Sequence, residues 1–188
     1  SPVDAEALAR GTSLYLPGLT VPMLPEILSD ELCSLVPGED RLTMSLFMTL
    51  RGGRIVDHRL CRAVIRSHAR LTYDAVNRFL DGDSDAVPEE VQPALTDMLP
   101  ASHALRARRM EAGCLELDLP ETEFTLDEEC VPTDVYCAPR GEAERMIEDF
   151  MLAANETVAM LARPTETPLV YRVHEEPDAE RIRDLKKE

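Results

Sequence analysis

Arg10 to Leu35 reads RGTSLYLPGLTVPMLPEILSDELCSL, an apolar run broken by Gly11, Pro17, Gly18, Pro22 and Pro25. Proline removes a backbone donor and glycine loosens the chain, so no helix or strand crosses this run uninterrupted. The run is also too hydrophobic for a solvated linker. A buried irregular loop is expected, because an apolar segment with unpaired backbone groups is retained where it builds something regular elements cannot. Tyr15 stands inside the Pro/Gly frame, which presents one flat ring with little freedom. It is either a ligand-facing aromatic or a core tyrosine whose hydroxyl finds a backbone acceptor.

Upstream of the run, DAEALA has helical character and begins abruptly, which suggests that a preceding part is missing. Downstream, SLFMTLRGGRIVDHRLCRAVI predicts two strands around Gly52-Gly53, the composition of a tight hairpin turn. Ser67 offers an N-cap for SHARLTYDAVNRFL, where Leu71, Ala75, Phe79 and Leu80 recur at helical spacing and Gly82 follows the end. Tyr73 projects away from the Leu71 side, toward ligand or solvent. The segment DGDSDAVPEE resembles a calcium loop only superficially: Ala86 stands where the sharp turn needs glycine, and Gln92 where a bidentate carboxylate is needed. An acidic surface loop is expected there.

Pro93 and Pro100 interrupt the helical composition of Glu89 to Ala112, so short pieces are expected, with a longer one from Ala101 to a stop at Gly113. CLELDLPETEFTL and CVPTDVYCA predict short strands at a sheet edge. The strongest helix runs from Arg140 to Ala162, with an apolar stripe at Ile147, Phe150, Met151, Ala154, Val158 and Leu161. Glu148 and Asn155, seven residues apart, fall nearly on one line down that helix. PLVYRVH reads as a strand and PDAERIRDLKKE as a terminal helix.

The net charge of -16 argues against a nucleic-acid partner on average, yet Arg51, Arg54, Arg59, Arg62, Arg66 and Arg70 face only Asp57 within their segment, a local balance of +5. These arginines are either a phosphate track or solvated residues paired with nearby acids. Five cysteines, odd in number and without short paired spacing, predict reduced, mostly buried thiols. With no apolar run near 20 residues and no signal or lipidation motif, a cytoplasmic location without membrane contact is expected. No nucleophile elbow, zinc spacing or glycine-rich phosphate loop is present, so the residues alone name no reaction.

Three blocks in order, GTSLYLPGLTVPMLPEILSDELCSL, SHARLTY and MIEDFMLAAN, resemble the catalytic (RNB) domain of the ribonuclease II/R family of exoribonucleases. The resemblance runs from Asp4 to Arg183. It implies an α+β fold, a mixed sheet with packed helices, with residues 1–188 forming the central part of a single catalytic domain. It implies hydrolytic, processive 3′ to 5′ degradation of single-stranded RNA to nucleoside 5′-monophosphates with Mg2+. The metal-binding aspartate cluster and an arginine-rich motif are expected outside this chain, which alone should be inactive. The implied partners are single-stranded RNA and proteins of degradation complexes, not DNA.

By their motifs, Tyr15 matches the tyrosine that positions the terminal nucleotide, Tyr73 an aromatic that contacts RNA near its 3′ end, and Glu148 an acid that hydrogen-bonds the terminal ribose. Asn155 is a purely positional candidate. Where some members carry a stacking phenylalanine after the long helix, this chain has Glu116 and Leu117. The alternative is a non-catalytic RNA-binding or protein-interaction module that keeps the scaffold and has lost the metal cluster.

Overall fold

The computed structural model describes residues 1–115, 121–138, 140–165, 168, 169, 171 and 175–185. The chain opens with helix α1 (Pro2–Arg10), started by Ser1, whose Oγ accepts from Asp4 N at 3.1 Å, and ended by Gly11. The proline-broken run then folds into strands β1 (Leu14–Leu16) and β2 (Leu19–Val21), with Tyr15 opposite Thr20, followed by a π-helical turn at Ile27–Leu32. Its backbone finds partners: Met23 N donates to Ser13 Oγ at 2.9 Å, and the Pro22 carbonyl accepts from Arg10 Nη1 at 2.8 Å.

The run is nevertheless not buried. Tyr15 is 80% exposed, and Leu14, Leu16 and Leu19 are more than half exposed. A hairpin of three-residue strands is too narrow to cover its own side chains. Its tip does approach a second element. Gly18 has φ 71°, and a Cβ there would lie 2.7 Å from Cys130 Cβ.

Strands β3 (Asp40–Arg51) and β4 (Arg54–Arg66) form the long antiparallel hairpin expected around Gly52-Gly53. Both glycines have positive φ, as a two-residue turn matched to strand twist requires. Gly53 also lies so close to the next layer that a Cβ would collide with the Ala104 carbonyl oxygen. Ser67 closes the base of this hairpin, its carbonyl accepting from Gly38 N at 2.8 Å. It is therefore not the cap of the next helix. α2 (Tyr73–Leu80) begins at Thr72, whose Oγ1 accepts from Ala75 N at 3.2 Å.

Helix α3 (Gln92–Glu111) is unbroken, contrary to the expectation of short pieces. Pro93 sits in the first turn, where no donor is lost. Pro100 is interior and costs about 3 kcal/mol in an isolated helix. Here the burial of Leu95, Ser102 and Leu105 holds the helix together. β5 (Glu121–Leu126) and β6 (Pro132–Ala138) form a third antiparallel hairpin. The long helix α4 (Glu142–Ala162) and the short α5 (Ala179–Leu185) follow.

The α+β class holds. Among the described residues its strands pair as three separate hairpins. The helices supply the core, where Val76, Val87, Leu95, Ala143 and Met146 are buried and Leu71, Phe79 and Phe150 pack around them. On α4 the buried line is Ala143, Met146, Asp149, Ala153 and Thr157, displaced from the expected stripe; Met151 is 58% exposed. Two polar residues in that line account for the displacement, since hydropathy assigns Asp149 and Thr157 to solvent. The cysteines are free thiols, but Cys33, Cys114, Cys130 and Cys137 are exposed rather than buried, lying on hairpins and segment ends. The strand expected at PLVYRVH falls largely outside the described residues, as do Glu116 and Leu117. Among the described residues no helix is long and apolar enough to cross a membrane.

Candidate nucleic-acid interface

Each proposed RNA-contacting residue is set by a different element. Tyr15 lies mid-strand in β1, held by the hairpin and standing in solvent. Tyr73 opens α2 directly after its cap and is half exposed. Glu148 projects from α4 with its side chain 46% exposed and pairs with Arg140. Asn155, two turns further on, is exposed. A cleft of about 240 Å3 opens at Glu148, and neither tyrosine lines it. The chain thus presents all three side chains outward without joining them in one cleft.

The arginines of the long hairpin divide between the two readings considered for them. Arg66 pairs with Asp40 at 2.7 Å, an exposed contact whose hydrogen bond and charge hold the Asp40 carboxyl below its usual range. The Arg59 guanidinium lies 4.8 Å from the centroid of Phe47. Arg62 and Arg66 share one face of β4 and Arg59 lies on the other, so the six arginines do not form a single stripe.

The structure adds a polar cluster that sequence reading missed. Asp149 is 1% exposed and accepts from Ser102 Oγ at 2.6 Å, from Arg106 Nε at 3.1 Å and from Arg109 Nη2. Arg106 Nη2 also lies 3.0 Å from Asp149 Oδ2, without the alignment of a hydrogen bond. Burial opposes the charge of Arg106, but the hydrogen bond to Asp149 and the nearby carboxylates outweigh it and hold the guanidinium above its ordinary value. Beside it, Glu142 pairs with His103 at 2.9 Å and with Arg106 and Arg145 at 3.4 Å. The His103 hydrogen bond, opposed by burial and aided by Arg106, holds Glu142 below the usual carboxylate range. The available signal was the RARR run at 106–109, of which Arg106 and Arg109, three residues apart on one helix face, reach Asp149 on a neighbouring helix.

Among the described residues no group of three or more His, Cys, Asp or Glu side chains is placed to hold a metal ion. The buried acid Asp149 is already committed to Ser102, Arg106 and Arg109.

Residues 1–188 match the RNB domain family. The chain belongs to that family. Ribonuclease R of Thermotoga maritima is 43% identical over 189 residues, taking in 99% of this chain and 27% of the relative. Ribonuclease R 1 of Lactococcus lactis subsp. lactis is 40% identical over 185 residues, 97% of this chain and 23% of the relative. The RNase R of Mycoplasma genitalium, solved in complex with ribose methylated single-stranded RNA, is similar with a TM-score of 0.93 at 37% identity, covering 100% of this chain and 30% of that one. This RNB chain therefore spans about a quarter of the length of the curated relatives it matches.

Proposed function

We propose that the protein containing this chain is a hydrolytic 3′ to 5′ exoribonuclease that works processively on single-stranded RNA in the cytoplasm. The observation carrying this reading is the match to ribonuclease R relatives at 40 to 43% identity over nearly the whole chain. In each cycle water attacks the last phosphodiester phosphorus, the bond to the upstream O3′ breaks, and a nucleoside 5′-monophosphate leaves. The upstream strand keeps a 3′-hydroxyl for the next cycle. Magnesium, which we assign to the complete enzyme, would be held by residues outside this chain and would stabilise the developing charge of the displacement.

Within that reaction this chain orients RNA. Tyr15, fixed in its hairpin, positions the terminal nucleotide. Tyr73 stacks on a base or ribose near the 3′ end, an interaction worth about 1 to 3 kcal/mol. Glu148 accepts from hydroxyls of the terminal ribose, which distinguishes RNA from DNA. Proteins of degradation complexes are the further partners this reading implies.

The test is incubation of the full-length protein and of the 188-residue chain with single-stranded RNA, with magnesium and with a chelator. The reading expects shortening by the full-length protein in magnesium alone and none by the chain. Trimming by the chain itself contradicts the placement of the metal ligands. RNA bound but left intact by the full-length protein favours the non-catalytic module.

A further inference from the structure

The hairpin that carries Tyr15 is held at both ends. At its base, Met23 N donates to Ser13 Oγ at 2.9 Å and Arg10 Nη1 donates to the Pro22 carbonyl at 2.8 Å. At its tip, Pro17 and Gly18 link Leu16 to Leu19, and Gly18 takes φ 71°, as the second corner of a proline-led turn requires. The tip rests on the turn between β5 and β6. A Cβ on Gly18 would lie 2.7 Å from Cys130 Cβ, 2.9 Å from Cys130 Sγ and 3.5 Å from Leu126 Cδ1. Between these two anchorages Tyr15 is 80% exposed, so its ring is placed by the hairpin rather than by packing around it.

The turn that receives the tip is itself locked. Asp127 Oδ1 accepts from Glu129 N at 2.9 Å and from Val131 N at 2.8 Å. The Asp127 carbonyl accepts from Cys130 N at 3.0 Å, and Asp127 N donates to the Val131 carbonyl at 3.0 Å. These bonds hold Cys130 at φ 59°, a conformation that residues with a side chain rarely adopt. The Cys130 Cβ is therefore fixed by the backbone and cannot swing aside as the far end of a long side chain could.

We propose that the β5–β6 turn is the seat that sets the position of the Tyr15 hairpin, with Gly18 and Cys130 as positioning residues for the reaction. The inference rests on the exoribonuclease reading and on the place of Tyr15 in it. Only a residue without a Cβ lets the tip come so near. Carbon atoms in contact ordinarily lie about 3.5 to 4.0 Å apart, so a side chain at position 18 lifts the tip from its seat by about 1 Å. A misplacement of about 1 Å can cost about 100-fold in rate even when the change is far from the reacting atoms. The loss falls on orientation rather than on affinity, because many other groups hold the strand.

The experiment measures kcat and KM of the full-length protein on single-stranded RNA with magnesium, together with amide hydrogen exchange in β1 and β2. Gly18→Ala is expected to lower kcat several-fold with KM little changed and to speed exchange in the hairpin. Cys130→Gly, added to Gly18→Ala, removes both atoms of the collision and is expected to return most of the lost kcat and protection, a rescue that general destabilisation cannot imitate. In a Tyr15→Ala background Gly18→Ala lowers kcat no further, since it acts through that ring. Gly38→Ala, at φ 76° with nothing within 4 Å, brings comparable backbone strain without a collision and leaves both readouts unchanged. Unchanged kcat and exchange in Gly18→Ala, losses that Cys130→Gly does not recover, or an undiminished further fall in the Tyr15→Ala background each overturn the proposal. If exchange responds and is rescued while Tyr15→Ala leaves kcat unchanged, the role given to Tyr15 is overturned and the seat is a packing contact alone. A wild-type protein that leaves RNA intact overturns the exoribonuclease reading itself.

Discussion

At the scale of single residues, Tyr15 and Asp149 mark the two ways a side chain can matter here. Tyr15 is exposed and its neighbours in β1 are too, so its removal leaves little cavity. In the full-length enzyme Tyr15→Ala is expected to slow hydrolysis by about ten-fold or more while RNA affinity changes little, because a positioning group acts on orientation and many other interactions hold the strand. Equal losses in rate and affinity would return it to a packing role. Glu148→Ala is expected to narrow the preference for an all-RNA strand over one ending in deoxynucleotides by roughly ten-fold, the value of a polar interaction of about 1 to 3 kcal/mol. An unchanged ratio places 2′-hydroxyl reading elsewhere. Asp149, by contrast, is buried between arginines. Asp149→Ala leaves charged groups without a counter-ion, and about 3 to 5 kcal/mol of stability should be lost in chemical denaturation.

Between elements, the junction of α2, α3 and α4 is held by contacts that no local pattern announces. Asn77 of α2 caps α4 from outside: its Oδ1 accepts from Ala143 N at 2.9 Å, and its Nδ2 donates to Glu144 Oε2 at 3.0 Å. Asn77→Ala should cost about 1 to 2 kcal/mol by denaturation, the range for removal of an N-cap. A neutral result would mean that water caps the helix equally well. The pH dependence of this junction has a definite sign. Glu142 titrates below its unfolded value near 4.3, so its contribution is present above that pH and is lost as the pH falls through the folded value. The denaturation midpoint should therefore drop on acidification below about pH 4, and by less in Glu142→Gln.

These contacts also separate what the sequence made legible from what it did not. Gly52-Gly53 and the flanking strands announced the long hairpin, because turn chemistry and strand patterning are local. The Asn77 cap lies 66 residues from its target, and the buried line of α4 contains an aspartate that Ser102, Arg106 and Arg109 on α3 make tolerable. Pro100 misled for the same reason: helix packing outweighed a local breaker. Of the candidate site, Tyr15, Tyr73 and Glu148 were picked from local motifs, whereas the arginines around Asp149 were missed because they meet it only when α3 and α4 lie side by side.

For the whole molecule, an acidic chain with net charge -16 carries its apolar Tyr15 hairpin on the surface. No metal-holding cluster occurs among its described residues, and it spans about a quarter of its relatives' length. The central claim is that the complete protein removes nucleotides from the 3′ end of RNA. The most direct measurement uses one single-stranded RNA labelled in two ways, at the 3′-terminal nucleotide or at the 5′ end, incubated with the full-length protein and magnesium. The account predicts that the 3′ label leaves at once as a nucleoside 5′-monophosphate while the 5′ label stays on a strand that shortens stepwise. Internal fragments, first release of the 5′ label, or RNA that is bound and remains intact would contradict it.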